Sequence, residues 1–353
     1  MPISSTLHRF AEYIPAGLLP RLVRRGRIAV FYHAVSDAPM PHVRNLYPIV
    51  PVDAFEDALR YLKANYNLIT YEQLHAHILE GAPLPPRAVH LSFDDGYAEC
   101  FSVVRPILKK HDIPCTFFLV TGLLDNRRLF YRNKQSLCLE RLTAPDFDPA
   151  ALSAIRHSLS TLHAPPSTLH DFLPWFTALR LPDEPVIDAV CEALGVDWQA
   201  FLAENRPYLT TGQVRQMRAE GFTIGAHTVT HRKLMDLPRA EIETEIAESC
   251  RIVGEITGDG VVPFSFPHSA WGLDRAHLAE IRRRHPSIGL LFDTKGLRRD
   301  VPFIVNRIWA ERPLQAGELA PLPEIITRAY RDAWAEGVLA AGRKARRKRT
   351  PEK

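Results

Sequence analysis

The run Ala-Val-His-Leu-Ser-Phe-Asp-Asp-Gly-Tyr, at residues 88–97, places two adjacent carboxylates and a glycine directly after a mostly apolar segment. A short apolar run that ends in such turn residues predicts a buried strand. Similar runs recur along the chain, and helix-like segments separate them. The strand-like runs are 28–32, 115–120, 222–226, 261–266 and 288–292, and the helix-like segments include 52–65, 99–110 and 239–257. This alternation predicts an α/β fold with a parallel sheet.

The composition is that of a globular protein and excludes the fibrous and disordered classes. The chain has 353 residues, 46% of them hydrophobic and 24% charged, which suits one large or two ordinary domains. No window approaches the roughly 18 to 20 apolar residues of a membrane span, and the N-terminal stretch lacks the apolar region of a secretory leader. Five cysteines without a Cys-x-x-Cys pair favour reduced thiols. We therefore expect a cytoplasmic protein.

The chain divides into a core and several additions. Residues 27–312 carry the alternating pattern of the core, and within them about 124–207 changes to helix-like pieces broken by prolines, which predicts a helical insertion. Residues 1–26 are predicted to form an amphipathic helical segment kinked at Pro15. A closing helix is predicted at 313–341, and the last residues, 342–353, are predicted to form a disordered basic tail.

The two basic ends leave the location of the protein open between two interpretations. The net charge of +4 derives largely from the tail, which holds seven lysines and arginines and one glutamate. The N-terminal segment is either a terminal helix packed on the domain or an interfacial helix on a membrane. The tail is either an inert solvated terminus or a contact to anionic lipid, and no nucleic-acid partner is expected. Peripheral contact with the inner membrane face is the second interpretation.

The pair Asp94 and Asp95 carries the first chemical signal. The carboxyl ends of parallel strands face the crevice in which ligands bind. Two carboxylates at such a position repel each other unless a cation or a shared proton relieves them. A metal ligand next to a general base is one coherent division of roles, and an Asp-Asp-Gly turn that caps the next helix is the other interpretation.

The pair His227 and His231 carries the second signal. Their spacing of four predicts two imidazoles on one face of a helical turn, within reach of one ion. No glutamate follows the first histidine, so the His-Glu-x-x-His protease pattern is absent. Two histidines and one carboxylate with open positions suit hydrolytic Zn²⁺ and also non-haem Fe²⁺. Glycine-rich nucleotide loops and the Gly-x-Ser-x-Gly pattern are absent from the sequence, so neither nucleotide-cofactor nor serine-hydrolase chemistry is supported.

Taken together, these residues resemble the NodB-homology polysaccharide deacetylases, carbohydrate esterase family 4. The resemblance covers about residues 27–125 and 207–310. It rests on Ser-Phe-Asp-Asp-Gly at 92–96, His-Thr-x-x-His at 227–231, a loose third motif at 264–272, Phe-Tyr-His at 31–33, Thr-Lys-Gly at 294–296 and Asn-Arg-Ile at 306–308. It implies a distorted (β/α)7 barrel of the NodB-homology type.

The resemblance also implies roles for individual residues. Asp94 is the general base, and Asp95, His227 and His231 hold a divalent metal ion, for which Zn²⁺ is the first expectation. The backbone N–H of Tyr97 helps to bind the oxyanion. Metal-bound water then loses a proton to the base and attacks the acetamide carbonyl.

The chain departs from the family pattern at two places. Ser265 stands where an arginine usually tethers the base, and His268 stands where an aromatic residue is usual. The Leu-x-x-His that usually supplies the general acid is also missing, because residues 304–307 offer no histidine.

Other residues are predicted to replace the missing groups. Arg307 is the predicted tether of Asp94, and His33 or His268 is the predicted proton donor to the leaving amine. For His33 a packed histidine at a strand end is the competing interpretation. Trp271 is a candidate sugar-stacking residue, with packing as its alternative.

The predicted function is a metal-dependent hydrolase that removes N-acetyl groups from an N-acetylated glycan or glycan precursor. One alternative is another C–N amide hydrolase of the same fold, such as a sugar deformylase. A second is a carbohydrate-binding or regulatory protein that keeps the metal without turnover, although such a protein has no use for Asp94. A non-haem iron oxygenase is a third.

Overall fold

The sheet runs through the core as one continuous set of parallel strands. The computed structural model describes residues 3–148, 150–159, 165–313 and 319–349. The strands of this part are β1 (Arg27–Tyr32), β2 (Asn67–Leu68), β3 (Ala88–Phe93), β4 (Thr116–Leu119), β5 (Thr223–Ala226), β6 (Val262–Ser265), β7 (Ile288–Asp293), β8 (Ile304–Asn306) and β9 (Ile308–Trp309). Their order is β8-β7-β6-β5-β4-β3-β1-β9, with β2 paired beside β3.

The two ends of this strand order meet in one stretch of chain. Only Arg307 separates β8, which pairs with β7, from β9, which pairs with β1. The same extended segment therefore joins both edges and nearly closes an eight-strand barrel. The predicted α/β barrel of the NodB-homology type is confirmed. Its strand order contains eight strands rather than seven because the closing segment forms two short strands, β8 and β9.

Helices surround the barrel and form the insertion. They are α1 (Ile3–Glu12), α2 (Leu19–Val23), α3 (Val52–Asn65), α4 (Tyr71–Glu80), α5 (Arg105–Lys110), α6 (Tyr131–Leu142), α7 (Ala151–Leu159), α8 (Leu169–Ala178), α9 (Glu184–Ala193), α10 (Trp198–Asn205), α11 (Thr211–Ala219), α12 (Arg239–Thr257), α13 (Arg275–Arg284) and α14 (Leu322–Arg349). A π-helical turn at Cys100–Val104 precedes α5.

Strands β3 to β7 are buried over almost their whole length, as expected for parallel strands covered by helices on the outside and packed side chains inside. Close packing reaches the strand that leads to the histidine motif. A Cβ on Gly225 would lie 2.4 Å from the ring of Phe118 on the neighbouring strand. Only glycine therefore permits the observed approach of β4 to β5.

The predicted helical insertion holds α6 to α10, which build a second apolar cluster next to the barrel. Its α6 and α9 are joined by the buried Lys134, whose ammonium donates to Glu184 and Asp188 at 2.8 and 2.7 Å. Cys138 and Cys191 also lie side by side there, with sulfurs 3.3 Å apart, and all five cysteines are free and buried.

Both ends of the chain pack together. Helices α1 and α2 lie against α14, and Ala11 and Leu19 are fully buried. The helix break comes at the predicted place, because α1 ends at Glu12 and a short 3-10 turn begins after Pro15. The C-terminal prediction needs correction. The closing helix begins at Leu322 and continues to Arg349, so residues 342–349, predicted to be disordered, are helical, which agrees with their content of strong helix formers.

Candidate metal centre

Three predicted ligands converge at the carboxyl ends of β3 and β5. The Asp95 Oδ1 atom lies 3.4 Å from His227 Nε2 and 3.2 Å from His231 Nε2. Candidate ligand atoms of the three residues all lie within 4.8 Å of one another, and all three side chains are buried. Because β3 and β5 flank β4 in a parallel sheet, their ends reach the same side of the barrel.

The donor atoms of this triad are prepared for a cation. His227 Nδ1 lies 2.8 Å from the carbonyl oxygen of Ser265, to which it donates, and this leaves Nε2 with its lone pair free. Asp95 Oδ1 is buried and has no hydrogen-bond partner in the described chain. An orphaned carboxylate oxygen between two imidazole nitrogens is costly without an ion. The residues therefore fit a divalent metal.

The loop that carries the two histidines is not the helical turn that their spacing predicts. Residues 227–233 have no helical structure, and Thr228 and His231 have φ values of 67° and 58°. The buried Glu245 of α12 explains this conformation, because its carboxylate accepts hydrogen bonds from the backbone N–H groups of Val229 and Thr230 at 2.8 and 3.0 Å. The irregular loop turns both imidazoles inward, at a strain cost that these bonds offset.

The carboxylate of Asp94 is held by Arg307. Two guanidinium nitrogens donate to Oδ1 and Oδ2, each at 2.7 Å, in the bidentate arrangement that arginine and carboxylate favour. Arg307 also donates to Ser92 and Ser265 at 3.0 and 2.6 Å, and its guanidinium lies 4.3 Å from the Phe31 ring centroid. Arg307, in the segment from β8 to β9 that closes the barrel (the barrel seam), thus tethers Asp94. Ser265, which stands where the family usually has an arginine, accepts a hydrogen bond from Arg307.

This contact sets the protonation state of Asp94. Burial alone would raise the pKa of the carboxyl, but the Arg307 guanidinium, together with His227 and His33, outweighs burial and holds the pKa below its usual value. Asp94 is therefore an anion that can accept a proton, one residue from Asp95 of the candidate triad.

His33 at the end of β1 forms an ion pair with Glu311. The Nδ1 atom contacts a carboxylate oxygen of Glu311, and the backbone N–H of His33 donates to the same carboxylate at 3.1 Å. Burial would lower the pKa of His33, yet the negative charge of Glu311, with smaller contributions from Asp95 and Asp94, more than compensates and raises it to about 9. Trp309 donates to Glu311 at 3.1 Å and steadies the pair. Glu311, which no sequence pattern marks, is fully buried.

Tyr47 is a second residue that the sequence does not reveal. Its hydroxyl donates to Asp95 Oδ2 at 2.6 Å, and its ring stacks on His33 with centroids 4.1 Å apart. It lies in a loop between β1 and α3 without strand or helix pattern. Tyr47 thus orients the carboxylate of Asp95 and the imidazole of His33 together.

The other predicted site residues have different positions. His268 lies beside His231, with ring centroids 5.2 Å apart, and has no carboxylate partner in the described part of the chain. The backbone N–H of Tyr97 is not used by any hydrogen bond among the described residues. Tyr97 and Tyr208 form an antiparallel β-bridge, but its hydrogen bonds are made by the residues on either side of them. Trp271 is 63% exposed and packs under Arg298 outside the cavity.

A cavity of about 610 Å³ opens from the triad. One end is formed by the triad with His33 and Tyr47. The other end runs between the loop 294–298 and the side of α14. This volume is typical of a site for a small ligand or a few sugar units.

Comparison with known proteins agrees with this barrel. The family model described as polysaccharide deacetylase matches residues 81–156 and 184–282. The matched parts contain Asp94 and Asp95 and both histidines, and the gap between them falls in the helical insertion. The chain belongs to the polysaccharide deacetylase family, whose members are hydrolases of carbon-nitrogen bonds other than peptide bonds.

Individual relatives are more distant. The poly-beta-1,6-N-acetyl-D-glucosamine N-deacetylase of Escherichia coli strain K12 is 30% identical over 101 residues, which are 28% of this chain and 15% of that protein. The structure of IcaB from Ammonifex degensii has a TM-score of 0.52 at 17% identity and covers 87% of this chain and 97% of its own. Streptococcus pyogenes deacetylase PplD in complex with acetate gives 0.51 at 17% identity, with 80% and 91% covered. These structures share the fold.

The triad gives a direct prediction about metal binding. Replacing Asp95, His227 or His231 by alanine should weaken Zn²⁺ binding by more than the ~10- to 100-fold that loss of an outer partner costs, because three ligands leave no spare. Metal content and chelator competition on the purified protein measure this. His285→Ala, a half-exposed histidine paired with Glu243, is the matched control and should keep full occupancy. Full occupancy in one triad variant would remove that residue from the ligand set.

Proposed function

We propose that this protein is a metal-dependent hydrolase that removes the N-acetyl group from an N-acetylated glycan or glycan precursor. The observation that carries the proposal is the anchored, ionised Asp94 adjacent to the metal ligand Asp95 at the mouth of one cavity. A metal-binding protein without turnover has no need of a second carboxylate held ionised beside the ligand. Family membership supports the same chemistry.

Asp95, His227 and His231 would hold the ion, and Zn²⁺ suits two imidazoles and one carboxylate with positions left open. When bound, the ion lowers the pKa of water at the site and polarises the acyl carbonyl. Asp94 accepts the proton of the attacking water on a carboxylate oxygen. Its bidentate contact with Arg307, together with a hydrogen bond from the Ser265 hydroxyl at 3.2 Å, fixes the position of the base.

The developing negative charge on the carbonyl oxygen needs a donor besides the ion. The unused N–H of Tyr97 lies three residues after Asp94 in the same turn, which supports its role as that donor. Such a donor typically contributes a few kcal/mol to stabilisation of the transition state. The leaving amine then needs a proton. His33, kept protonated by Glu311, supplies it more readily than His268, which has no acidic partner among the described residues.

Acetate release tests the proposal. The name of the Escherichia coli relative points to short β-1,6-linked N-acetylglucosamine oligomers as the first probe, followed by a panel of other N-acetylated sugars. The Zn²⁺-loaded protein should release acetate, and Asp94→Asn should lose at least ~10²-fold in kcat while it keeps the metal. Asp37→Asn, a carboxylate outside the cavity, is the control. Undiminished turnover in Asp94→Asn would end its assignment as the base.

The pH dependence of kcat/KM separates the two candidate acids. If His33 donates the proton, activity should fall as the pH rises through about 9, where His33 loses its charge. His33→Asn should abolish that alkaline limb and lower the rate ~10²-fold or more. Glu311→Gln should move the limb to lower pH, because the carboxylate no longer raises the pKa of the imidazole. His268→Asn should leave the limb in place; a limb that disappears only in this variant makes His268 the acid.

We also propose that the N-terminal segment contacts an anionic phospholipid surface. No helix in the described part of the chain is long and apolar enough to cross a membrane. The outer side of α1 and α2 is nonetheless apolar. Phe10, Tyr13, Leu18 and Leu22 are 64%, 85%, 47% and 51% exposed. The exposed arginines Arg9, Arg21 and Arg24 flank them, so apolar and basic groups share one surface, which matches an anionic bilayer.

Vesicle binding tests this contact. The protein should bind phosphatidylglycerol vesicles at low salt and dissociate as salt rises, since each basic residue near the surface contributes about 1 kcal/mol. Phe10→Ser with Leu22→Ser should reduce binding, and so should removal of residues 342–353, without loss of metal. Met235→Ser, at an exposed apolar residue elsewhere, is the control. A protein that ignores such vesicles at low salt contradicts the proposal.

A further inference from the structure

The cavity beside the triad contains more positive charge than the proposed hydrolysis requires. Its lining includes five cations, Arg132, Lys295, Arg298, Arg312 and Arg328. Apart from the two aspartates of the site, the acidic residues in the lining are Asp332 and Glu336. Arg298 is paired with Glu336 at 3.3 Å. The other four cations have no ion pair with a side chain of the described chain. A cleft with several unpaired cations selects for negative charge in the ligand.

The wall that carries Lys295 and Arg298 is held in place. In the loop 294–298, the backbone N–H of Lys295 donates to the Asn306 side chain at 3.2 Å, and that of Gly296 donates to the Arg307 carbonyl at 2.9 Å. The ion pair between Arg298 and Glu336 joins the loop to α14. The loop is thus bound both to the barrel seam and to the helix opposite, so its backbone is held in place before a ligand arrives.

The opposite wall combines charge with apolar surface. Arg328 of α14 stands next to Ile325 and Ala329, and Ala333 continues the apolar stripe one turn further. On the barrel side Leu46 and Ile308 also line the cavity. The cleft therefore offers cations to an anionic group and apolar contacts to the part of the ligand beside it.

We propose that this cleft binds an N-acetylated sugar linked to a phosphate or diphosphate, with the acyl group at the triad and the phosphoryl oxygens against Lys295, Arg312 and Arg328. The inference rests on the proposed deacetylation and names its substrate class. A phosphoryl group fits better than a single carboxylate, because a diphosphate spreads two or more negative charges over several oxygens and can accept from separate arginines. Nucleotide-linked and lipid-linked sugars share this chemistry.

A matched set of sugars tests the inference by activity. The probes are methyl N-acetylglucosaminide, N-acetylglucosamine 1-phosphate, a nucleoside diphosphate N-acetylglucosamine and a farnesyl diphosphate N-acetylglucosamine. The kcat/KM for acetate release should be about tenfold or more higher for the diphosphates than for the neutral glycoside, as charge-assisted hydrogen bonds provide. Preference for the farnesyl compound identifies a lipid-linked substrate, and preference for the nucleotide identifies a nucleotide sugar. Equal values for charged and neutral probes overturn the inference.

Variants locate the effect in the cleft. Arg328→Ala and Arg312→Ala should each lower the ratio of kcat/KM between diphosphate and neutral probes about tenfold. Arg283→Ala, which removes an exposed arginine of α13 outside the cavity, should keep the ratio of the unaltered protein. An unchanged ratio in both cleft variants overturns the assignment of these residues.

Binding decides the question even where no probe releases acetate. Calorimetric titration of Zn²⁺-loaded Asp94→Asn protein with the nucleoside diphosphate and farnesyl diphosphate sugars should give a Kd that rises at least tenfold on adding Arg328→Glu. That result without acetate release contradicts the proposed deacetylation and supports the anionic ligand. Acetate release from the neutral glycoside, with binding of both charged sugars unaffected by Arg328→Glu, supports the deacetylase and overturns the phosphate site.

Discussion

The ion pair between Arg307 and Asp94 connects the closure of the barrel to the chemistry at its mouth. A fully buried guanidinium is very costly unless a carboxylate and further hydrogen-bond acceptors compensate it. Arg307 is the single residue between β8 and β9, the strands that join the two sheet edges, and its partner Asp94 directly follows β3. Loss of either partner leaves an uncompensated charge, a defect that typically costs ~3 to 5 kcal/mol. The closing segment of the barrel and the position of Asp94 therefore depend on each other.

The same pair explains how two adjacent aspartates take different roles. Asp94 receives both guanidinium contacts, so its charge is balanced within the protein. Asp95 receives only the Tyr47 hydroxyl on one oxygen, and its other oxygen is left without a hydrogen bond between two imidazoles. One carboxylate is thus satisfied by a side chain, and the other keeps one oxygen that is open to a cation. Environment, not residue type, divides the two roles.

Most of the barrel could be predicted from the sequence because its longer strands are continuous apolar runs. The runs near β1, β3, β5 and β7 were all recognisable, and α3 and α12 have the predicted bounds. The closing strands β8 and β9 have three and two residues, too few for any periodicity to show.

Most of the candidate site was predictable because its residues follow a recognisable strand; Arg307, between the short strands β8 and β9, was predicted only through the family resemblance. The aspartate pair and the histidine pair follow β3 and β5. The spacing of His227 and His231 wrongly indicated a helical turn, because Glu245 on the following helix, α12, dictates the loop conformation. Glu311 and Tyr47 reach the site through tertiary packing alone, and nothing in their local sequence indicates this.

The cleft and the apolar N-terminal surface are parts of one helical layer. Helix α14 forms a wall of the cavity on one side and the support of α1 and α2 on another. Arg331 of α14 donates to the carbonyl oxygen of Glu12 at 3.0 Å, and Arg25 donates to the carbonyl oxygen of Leu297 in the cavity wall. A surface that adheres to anionic lipid through α1 and α2 would therefore lie close to the cationic end of the cleft. Because a lipid-linked sugar phosphate places its charge at the bilayer surface, membrane contact and phosphate recognition would serve the same substrate.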